Sequence, residues 1–321
     1  YGGGGMDAIS YVLAMEEISK VDASCSVVMS VNNSLVCWGL ETFGNEEQKQ
    51  KYLVPLAKGE KIGAFCLSEP EAGSDATSQR TIAEDKGDHY ILNGTKNWIT
   101  NGSSASIYLV MAQSDIEKGS KGINAFIVEK SWPGVTVGAK ENKLGIRGSD
   151  THTISFTDVK VPKENRIGGD GFGFTFAMKT LAGGRIGIAS QALGIASGAY
   201  ELALKYSKER KAFGKEIMHH QAIQFKLADM ATRIEGARLL CLKAAWEKDQ
   251  HLDYTLSSSM AKVFASETAM WVATEAVQVH GGYGFVKEYH VERLMRDAKI
   301  TQIYEGTSEV QRIVISRSIL K

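Results

Sequence analysis

The stretch Ile62-Gly63-Ala64-Phe65-Cys66-Leu67-Ser68 decides the fold, because the spacing of apolar residues changes there from helical to strand-like. From Lys61 to about Pro162, apolar and polar residues alternate in short runs that are typical of β-strands. Turn dipeptides such as Asn93-Gly94 and Asn101-Gly102 separate these runs. The predicted strands are Ile62–Ser68, Tyr90–Asn93, Ile107–Ala112, Ala125–Glu129, Val135–Ala139 and Thr151–Phe156. Short strands without long helices between them favour an antiparallel barrel or sandwich.

Helical patterns flank this β region on both sides. Upstream, apolar residues recur at helical spacing at Ala8, Val12, Met15 and Ile18. A second helix is predicted from Cys25 to Leu40, and Asn45 caps a third helix with an acidic first turn. Downstream, four long periodic runs are predicted to form a bundle: Phe172–Lys208, His220–Asp249, Leu256–Val279 and Ser308–Leu320. Small residues in the first of these runs, at 189–194, indicate close helix packing.

These patterns together predict an α+β protein with three domains. The N-terminal helical domain covers residues 1–61, the middle β domain 62–165, and the C-terminal α-helical bundle 166–321. The chain begins at Tyr1-Gly2-Gly3-Gly4-Gly5, which has the composition of a loop, so we expect the N-terminal domain to be partial and further residues to lie upstream.

Composition and charge exclude several classes of protein. The 321 residues are 43% hydrophobic and 23% charged, as in soluble globular proteins and unlike disordered ones. Lys plus Arg and Asp plus Glu both count 37, so no net charge would attract nucleic acid or an anionic membrane. No apolar run was expected to reach the ~18 residues of a membrane span. The expected location is the bacterial cytoplasm or the mitochondrial matrix.

Cysteine and histidine spacing does not predict a metal site. Cys25, Cys37, Cys66 and Cys241 form no C-x-x-C pair and are interpreted as mostly buried free thiols in a reducing compartment. The pair His219-His220 has no further ligand at i+4.

Two segments of the β region carry residues suited to binding a ligand. The segment 65–75 leaves a strand and enters a Pro/Gly turn, whose backbone N–H groups and hydroxyls suit a phosphate or a heteroaromatic ring. An ordinary turn at the end of a strand is the alternative interpretation. The segment 93–102 carries Trp98 among polar neighbours. Its ring is suited either to a core or to stacking on a flat ligand.

The glycine-rich segments do not predict a dinucleotide-binding loop. Gly2–Gly5, Gly168–Gly173 and Gly281–Gly284 all lack the strand–G-x-G-x-x-G–helix context, and they are interpreted as tight turns. The His280-Gly281-Gly282 turn at a helix end would let a ligand approach the backbone. The segment Arg210–Lys215 places an Arg beside a Phe at a helix boundary, which suits either a pyrophosphate contact or a solvated basic turn.

The segment Ile303–Gln311 places the carboxylate of Glu305 between an aromatic residue and a glycine. Ser308 and Gln311 have the S-x-x-Q spacing of a capping box, which predicts a helix start. A carboxylate just outside a helix N-terminus, near unpaired backbone N–H groups, suits a general base beside an anion site. A capped surface helix after a turn is the alternative interpretation.

Taken in order, seven segments resemble the acyl-CoA dehydrogenase family, and its short-chain (butyryl-CoA) branch in particular. The resemblance covers essentially the whole chain. The matching segments are Phe65–Asp75, Trp98–Thr100, Lys143–Gly148, Gly184–Ile186, Arg210–Gly214, Gln278–Gly284 and Tyr304–Glu309. The resemblance implies an N-terminal helical domain, a middle β domain and a C-terminal helical bundle.

By resemblance, the chain binds FAD without a dinucleotide-type loop. The residues implied to contact the flavin ring or its pyrophosphate are Phe65, Leu67, Ser68, Gly73, Ser74, Trp98, Ile99 and Thr100, with Thr307 and Glu309 closing the site. The residues implied to reach the FAD of a neighbouring subunit are Arg210, Phe213, Gln221, Gln278, Gly281 and Gly282. The resemblance therefore implies a homotetramer built from dimers.

The implied reaction is the α,β-dehydrogenation of an acyl-CoA to its trans-2-enoyl product, with Glu305 as catalytic base and electrons passed to electron-transferring flavoprotein. Burial against the flavin and the acyl chain would raise the Glu305 pKa toward neutrality. Hydrogen bonds to the thioester oxygen, one of them from the Glu305 backbone N–H, would stabilise the enolate.

Substrate contacts are also implied by the resemblance, at Ser74, Arg185, Tyr304 and Gly306. The sequence departs from the family pattern at Ala182, where relatives commonly carry an Asp that contacts the CoA portion. Gly184 occupies the position where isovaleryl-type relatives place their base, which supports a straight-chain substrate for a base at 305. An acyl-CoA oxidase or another flavoprotein on the same fold, and a non-catalytic helical scaffold, remain alternatives.

Overall fold

The computed structural model describes residues 1–321, which form two compact units, each assembled from separate segments of the chain. The first, here called the sheet unit, comprises Tyr1–Gly5, Val28–Asn142 and Gly148–Gly184. The second, the bundle unit, comprises Met6–Val27, Lys143–Arg147 and Arg185–Lys321. The compact units therefore do not coincide with contiguous stretches of sequence.

The sheet unit contains one eight-stranded, mostly antiparallel sheet. Its strands are β1 (Gly63–Cys66), β2 (Ile82–Asp85), β3 (His89–Thr100), β4 (Ile107–Gln113), β5 (Ile123–Glu129), β6 (Val135–Lys140), β7 (Thr151–Pro162) and β8 (Arg166–Ile167). The strand order is β6-β7-β3-β2-β4-β5-β8, and β1 pairs with β4 in parallel. Strand β4 is buried on both faces, which explains its continuous apolar sequence. The predicted β region is confirmed, as one sheet.

The Asn93-Gly94 dipeptide does not form the predicted turn. It lies inside β3, where the register with β7 shifts between Leu92 and Gly94. Gly94 has φ +149, and a Cβ there would lie 2.6 Å from Thr81 Cα, so only glycine fits this bulge. Strand β2 was missed because it is only four residues long and buries only Ala83. Asn101-Gly102, in contrast, does form a turn after β3.

The first helices occur in short pieces with π-helical turns between them. They are α1 (Ala8–Val21), α2 (Ala23–Ser30), the π-helical segment Val31–Cys37, α3 (Trp38–Phe43), α4 (Glu46–Gln48), the π-helical segment Lys49–Leu53 and α5 (Val54–Ala57). Asn45 caps α4 in a capping box with Gln48, as its type and position predict.

One helical stretch is long and apolar enough to cross a membrane by composition alone, contrary to the sequence expectation. This stretch, Ala23–Phe43, has 21 residues and a mean hydropathy of 1.2. In the fold 61% of it is buried, as in the core helix of a soluble protein.

Long helices dominate the bundle unit, and the first of them begins in the sheet unit. They are α6 (Gly173–Glu209), α7 (Gln221–Asp249), α8 (Thr255–His280), α9 (Val291–Thr301) and α10 (Ser308–Ile319). Between α6 and α7 lies a two-stranded ribbon of β9 (Lys211–Ala212) and β10 (Lys215–Glu216). Short 3₁₀ turns occur at Ala76–Ser78, Ile116–Gly122, Lys163–Asn165, Ile217–His219 and Gly281–Phe285.

Small residues of α6 allow α1 to approach closely, which confirms the packing interpretation for this helix. A Cβ at Gly194 would lie 2.4 Å from Glu16 O, and one at Gly198 would lie 2.4 Å from Lys20 O. Helix α9 was missed in the sequence, although Val291, Leu294 and Ala298 are buried at helical spacing.

The four cysteines are free thiols, but fewer are buried than expected. Cys66 and Cys241 are buried, Cys37 is partly buried and Cys25 is exposed. Burial raises the pKa of the Cys66 and Cys241 thiols to about 12, so both remain protonated at neutral pH.

Candidate active site

Glu305 lies in a tight turn between α9 and α10, in the bundle unit. Its backbone is left-handed, with φ +53, and Gly306 follows with φ +90. A Cβ on Gly306 would lie 2.5 Å from the side-chain nitrogen of Gln311, so this position requires glycine. A non-glycine residue with positive φ is strained, and such strain occurs preferentially at functional sites. The backbone N–H of Glu305 has no acceptor within the chain, which leaves a donor free for a ligand.

The Glu305 carboxyl group is poised for proton transfer near neutral pH. Its Oε2 atom is buried and has no hydrogen-bond partner. Burial raises the pKa of Glu305 to about 7, although the positive charges of Lys262 and Arg185 act in the opposite direction. A carboxyl with this pKa is half-ionised at neutral pH. Its carboxylate form binds a proton more tightly than an ordinary glutamate does, and is therefore the stronger base. It is therefore suited to act as a general base.

Tyr304 anchors the turn to the helices on the other side. Its hydroxyl donates to Gln191 Oε1 of α6. Gln191 Nε2 in turn donates to Ala23 O at 2.8 Å and to Ser26 Oγ at 3.2 Å. Burial raises the pKa of Tyr304 well above its usual value, so the ring stays neutral and acts as a donor. This chain of hydrogen bonds ties the residue before Glu305 to α6 and α2.

Arg185 of α6 contributes a buried positive charge to the same region. Only 7% of the residue is exposed. Its Nη1 donates to Ser259 Oγ at 3.2 Å, while its Nε is buried without a partner. Burial lowers the pKa of Arg185, and the negative charge of Glu305 opposes this effect. Arg185 is thus brought into electrostatic contact with Glu305, and it has a free donor for a further acceptor.

Lys262 of α8 was not identified from the sequence. It is fully buried, and its Nζ donates to Thr301 O at 3.0 Å and to Gly306 O at 2.8 Å. Burial lowers its pKa to about 8, while Glu305 acts to raise it. The signal for this residue was a single lysine in an otherwise small and apolar stretch of a predicted bundle helix.

The helix start after Glu305 differs from the predicted capping box. Thr307, not Ser308, is the N-cap residue, and its hydroxyl accepts from the backbone N–H of Val310. Gln311 Nε2 instead donates to Glu305 O at 3.2 Å and to Gly306 O at 3.0 Å. The Gln311 amide therefore binds the carbonyls of the turn rather than the helix N-cap, and it shares Gly306 O with Lys262 Nζ. Glu309 is exposed on the first turn of α10.

In the sheet unit, the segment between β1 and β2 forms the predicted turn beside the end of β3. Glu69 and Ala72 bridge each other, and the backbone N–H of Asn97 donates to Ser68 O at 2.8 Å. The bond places the chain around Phe65, Leu67 and Ser68 beside the chain around Trp98. Gly73 and Ser74 lie at the exposed tip of the turn. A Cβ at Gly73 would meet nothing within 4 Å, so its backbone is open to a ligand.

A buried ion pair supports this turn, and it too was missed in the sequence. Lys96 Nζ donates to Glu69 Oε1 at 2.7 Å, to Leu67 O at 3.0 Å and to Gln79 Oε1 at 3.1 Å. Burial lowers the pKa of Lys96, whereas Glu69 acts to raise it. Burial alone would raise the pKa of Glu69, but Lys96 and the Arg80 backbone N–H lower it below its usual value. Burial thus opposes the charged form of both groups, and their pairing favours it.

Trp98 presents its ring to the surface. The residue has φ +61 and is 61% exposed, whereas its neighbour Ile99 is 2% exposed and Thr100 is partly buried. A left-handed residue in β3 turns the indole away from the core, at the position where the register with β7 shifts. An exposed tryptophan held on a strand is suited to stacking against a flat ring.

A separate cavity of about 570 Å³ lies in the bundle unit. It is lined by three of the residues that the resemblance assigns to the FAD of a neighbouring subunit, Arg210, Gly281 and Gly282. Its lining consists of Tyr206, Arg210, Ile217, Val279, His280, Gly281, Gly282, Tyr283 and Val286. The guanidinium of Arg210 lies 5.4 Å from the Tyr283 ring centre. A Cβ on Gly281 or Gly282 would meet nothing within 4 Å. A guanidinium beside open backbone suits a phosphate group.

Phe213, Gln221 and Gln278 lie outside this cavity lining. Phe213 has φ +52 and is 95% exposed, and both glutamines are exposed as well. The described chain therefore brings Arg210 together with the two glycines, but not with these three residues. Ala182 and Gly184, the two positions singled out by the family resemblance, both lie on α6. Ala182 is partly buried and Gly184 is buried.

Comparison with known proteins identifies the family of the chain. Three family models match in order: the acyl-CoA dehydrogenase N-terminal domain over residues 1–60, the middle domain over 64–159 and the C-terminal domain over 171–320. A short-chain-specific acyl-CoA dehydrogenase of Clostridium acetobutylicum is 54% identical, over 100% of this chain and 85% of that protein. The CarC subunit of the caffeyl-CoA reductase–Etf complex of Acetobacterium woodii is 50% identical, over 100% of this chain and 84% of that protein.

Solved structures give the same result. The butyryl-CoA dehydrogenase of Megasphaera elsdenii superposes with a TM-score of 0.98 at 53% identity, and covers 99% of this chain and 83% of that chain. The three ordered family models, together with relatives at this identity, leave no other assignment, and the chain belongs to the acyl-CoA dehydrogenase family.

Proposed function

We propose that the chain catalyses the α,β-dehydrogenation of a short straight-chain acyl-CoA, with Glu305 as the base that removes the α proton. The observation that carries this proposal is the buried, unpartnered Oε2 of Glu305 on a fixed left-handed turn, with a pKa raised to about 7. Membership of the family supports the reaction class. The 54% identity to a short-chain-specific relative supports the chain length.

Proton removal requires a base that is strong but still ionised. An ordinary glutamate is too weak a base, since its conjugate acid has a pKa near 4.3. Burial raises the pKa of Glu305 and so makes its carboxylate a stronger base. The positive charges of Arg185 and Lys262 limit this rise, so a sufficient fraction stays ionised at neutral pH. The proton passes to a Glu305 carboxylate oxygen, and the electron pair of the C–H bond moves toward the thioester carbonyl. The backbone N–H of Glu305, which has no acceptor within the chain, would donate to that developing oxyanion.

The cofactor we propose is FAD, and the residues present fit it. The cavity around Arg210 suits the pyrophosphate of an FAD held by a neighbouring subunit. The open backbone at Gly73 and the exposed ring of Trp98 suit a flavin. Phe65, Leu67, Ser68, Ser74, Ile99, Thr100, Thr307 and Glu309 would complete this site. When bound, FAD supplies the acceptor for the hydride that leaves the β carbon.

The family resemblance also implies residues that contact the substrate and residues that contact a neighbouring subunit. We propose that the substrate is contacted by Ser74, Arg185, Tyr304 and Gly306. We propose that the FAD of a neighbouring subunit is reached by Arg210, Gly281, Gly282, Phe213, Gln221 and Gln278. The exposure of these last three side chains supports a homotetramer, in which they would be covered. The domain boundaries at 61/62 and 165/166 are retained as a proposal.

Electron-transferring flavoprotein is the proposed electron acceptor. The CarC relative, which is 50% identical, is a subunit of a caffeyl-CoA reductase–Etf complex. The test is to follow reoxidation of the reduced protein by this acceptor and by oxygen. Slow reoxidation by oxygen supports a dehydrogenase, and fast reoxidation identifies an oxidase.

The deciding experiment is anaerobic titration of the FAD-loaded protein with butyryl-, hexanoyl-, octanoyl- and isovaleryl-CoA, with the flavin absorbance as readout. We expect butyryl-CoA to bleach the wild type fastest. Glu305→Gln should keep the yellow colour and lose bleaching, because the amide cannot accept the α proton. The exposed Glu117 makes a matched control, and Glu117→Gln should bleach like the wild type. A protein that stays colourless with added FAD would identify a non-catalytic scaffold instead.

A further inference from the structure

Lys262 is a charged residue in a place where charge is costly. Its side chain is fully buried on α8, in a stretch where Ser258, Ser259, Ala261 and Ala265 are buried as well. Removing an ammonium group from water is unfavourable unless hydrogen bonds and an opposite charge compensate. A lysine retained at such a position therefore has a specific partner.

Its partners are the two ends of the turn that carries Glu305. Lys262 Nζ donates to Thr301 O, the last residue of α9, at 3.0 Å, and to Gly306 O at 2.8 Å. Gly306 O accepts a second hydrogen bond, from Gln311 Nε2 of α10, at 3.0 Å. The turn is thus attached to α8 and α10 on either side of its left-handed residue. Such attachments are needed, because a left-handed non-glycine residue is strained and persists only where its surroundings hold it.

The charge of Lys262 also acts on the Glu305 carboxyl. The groups that act electrostatically on Lys262 are Glu305, Arg185 and Glu309, and those that act on Glu305 are Lys262 and Arg185. Lys262 is the larger of the two positive influences on Glu305. The positive charges of Lys262 and Arg185 repel each other, and the negative charge of Glu305 offsets this repulsion.

We propose that Lys262 is a positioning residue for the base. Its ammonium group fixes the turn that aims Glu305, and its positive charge favours the ionised carboxylate. The proposal rests on the proposed function of Glu305, but it predicts a physical effect that is measurable without turnover. Lys262 would therefore set the pH at which the base becomes active, as well as the geometry of its attack.

Three variants separate charge from geometry. Lys262→Met and Lys262→Gln remove the charge, and Gln retains a donating NH₂ group in case the Met variant folds poorly. Lys262→Arg keeps the charge, but its planar fork does not match the two carbonyls of the turn. Lys205, exposed on α6, makes a matched control, and Lys205→Met should behave like the wild type.

The first readout is the pH profile of flavin bleaching by butyryl-CoA in the FAD-loaded protein. We expect the acid limb to move to higher pH in Lys262→Met and Lys262→Gln, by on the order of one pH unit, since loss of a nearby opposite charge raises a carboxyl pKa. In Lys262→Arg the acid limb should stay near the wild-type position while the plateau rate falls. A lower rate in all three variants with an unmoved acid limb would overturn the proposal, because a merely structural role predicts that result.

The second readout is an infrared difference titration of the carboxyl band that is absent from Glu305→Gln. Its midpoint should be higher in Lys262→Met and Lys262→Gln than in the wild type. An unchanged midpoint overturns the proposal. Absence of bleaching in the wild type would reject the proposed function, but the infrared midpoints would still decide the action of Lys262 on Glu305.

Discussion

Because the Glu305 carboxyl is buried, its ionisation lowers the free energy of unfolding. Raising the pKa of this group from 4.5 to about 7 corresponds to a cost on the order of 3 kcal/mol in the ionised form, since a tenfold change in an equilibrium is about 1.4 kcal/mol. Below pH 4.5 the group is protonated in both folded and unfolded chains, so the cost is absent. As pH rises from 4.5 to 7, only the unfolded chain loses the proton, and the free energy of unfolding falls.

Glu305→Gln removes this pH dependence, because the amide does not ionise. We expect the stability of the variant relative to the wild type to rise by about 2–3 kcal/mol between pH 5 and pH 8. The change between the two pH values is the test. The absolute difference at one pH also contains the cost of burying the amide, which is about 1–3 kcal/mol.

Urea unfolding of the FAD-loaded protein, followed by tryptophan fluorescence, measures this change at both pH values. Glu117→Gln is the control, and its stability relative to the wild type should be equal at pH 5 and pH 8, because Glu117 is exposed. If Glu305→Gln shows the same relative stability at both pH values, the carboxyl is not held in a water-poor environment. The argument for a strengthened base would then be refuted.

Three further substitutions test the surroundings of the site. Gly306→Ala should lower the free energy of unfolding by at least about 1 kcal/mol and slow bleaching, because φ is +90 and a Cβ meets Gln311; wild-type stability in urea unfolding would contradict this. Lys96→Met should cost about 3–5 kcal/mol, because Glu69 stays buried without its partner; a loss below 1 kcal/mol would show that the pair is dispensable. Trp98→Ala should change stability by less than about 0.5 kcal/mol, because its ring is exposed, but should lower the FAD content of the purified protein; full FAD content would exclude stacking.

Features that depend on local sequence were predictable. Helical periodicity gave α6, α7, α8 and α10 to within one residue at most ends, and Asn45 was correctly identified as a cap. These succeed because a helix and its cap are determined by residues three or four positions apart.

Features that depend on distant contacts were not predictable. Asn93-Gly94 is a typical turn dipeptide, but in the fold it pairs with β7 and forms a bulge inside β3. Gln311 fits a capping box, but the carbonyls of the turn compete for its amide. Lys262 contacts residues 39 and 44 positions away, so no local pattern links it to Glu305. The base itself was found through the family resemblance, and its environment became visible only in the folded chain.

The most direct test is the pH dependence of the first step. The rate of anaerobic flavin bleaching by butyryl-CoA should rise with pH through a midpoint near 7 in the wild type, and bleaching should be absent in Glu305→Gln at every pH. Bleaching by Glu305→Gln at the wild-type rate would contradict the assignment of Glu305 as the base.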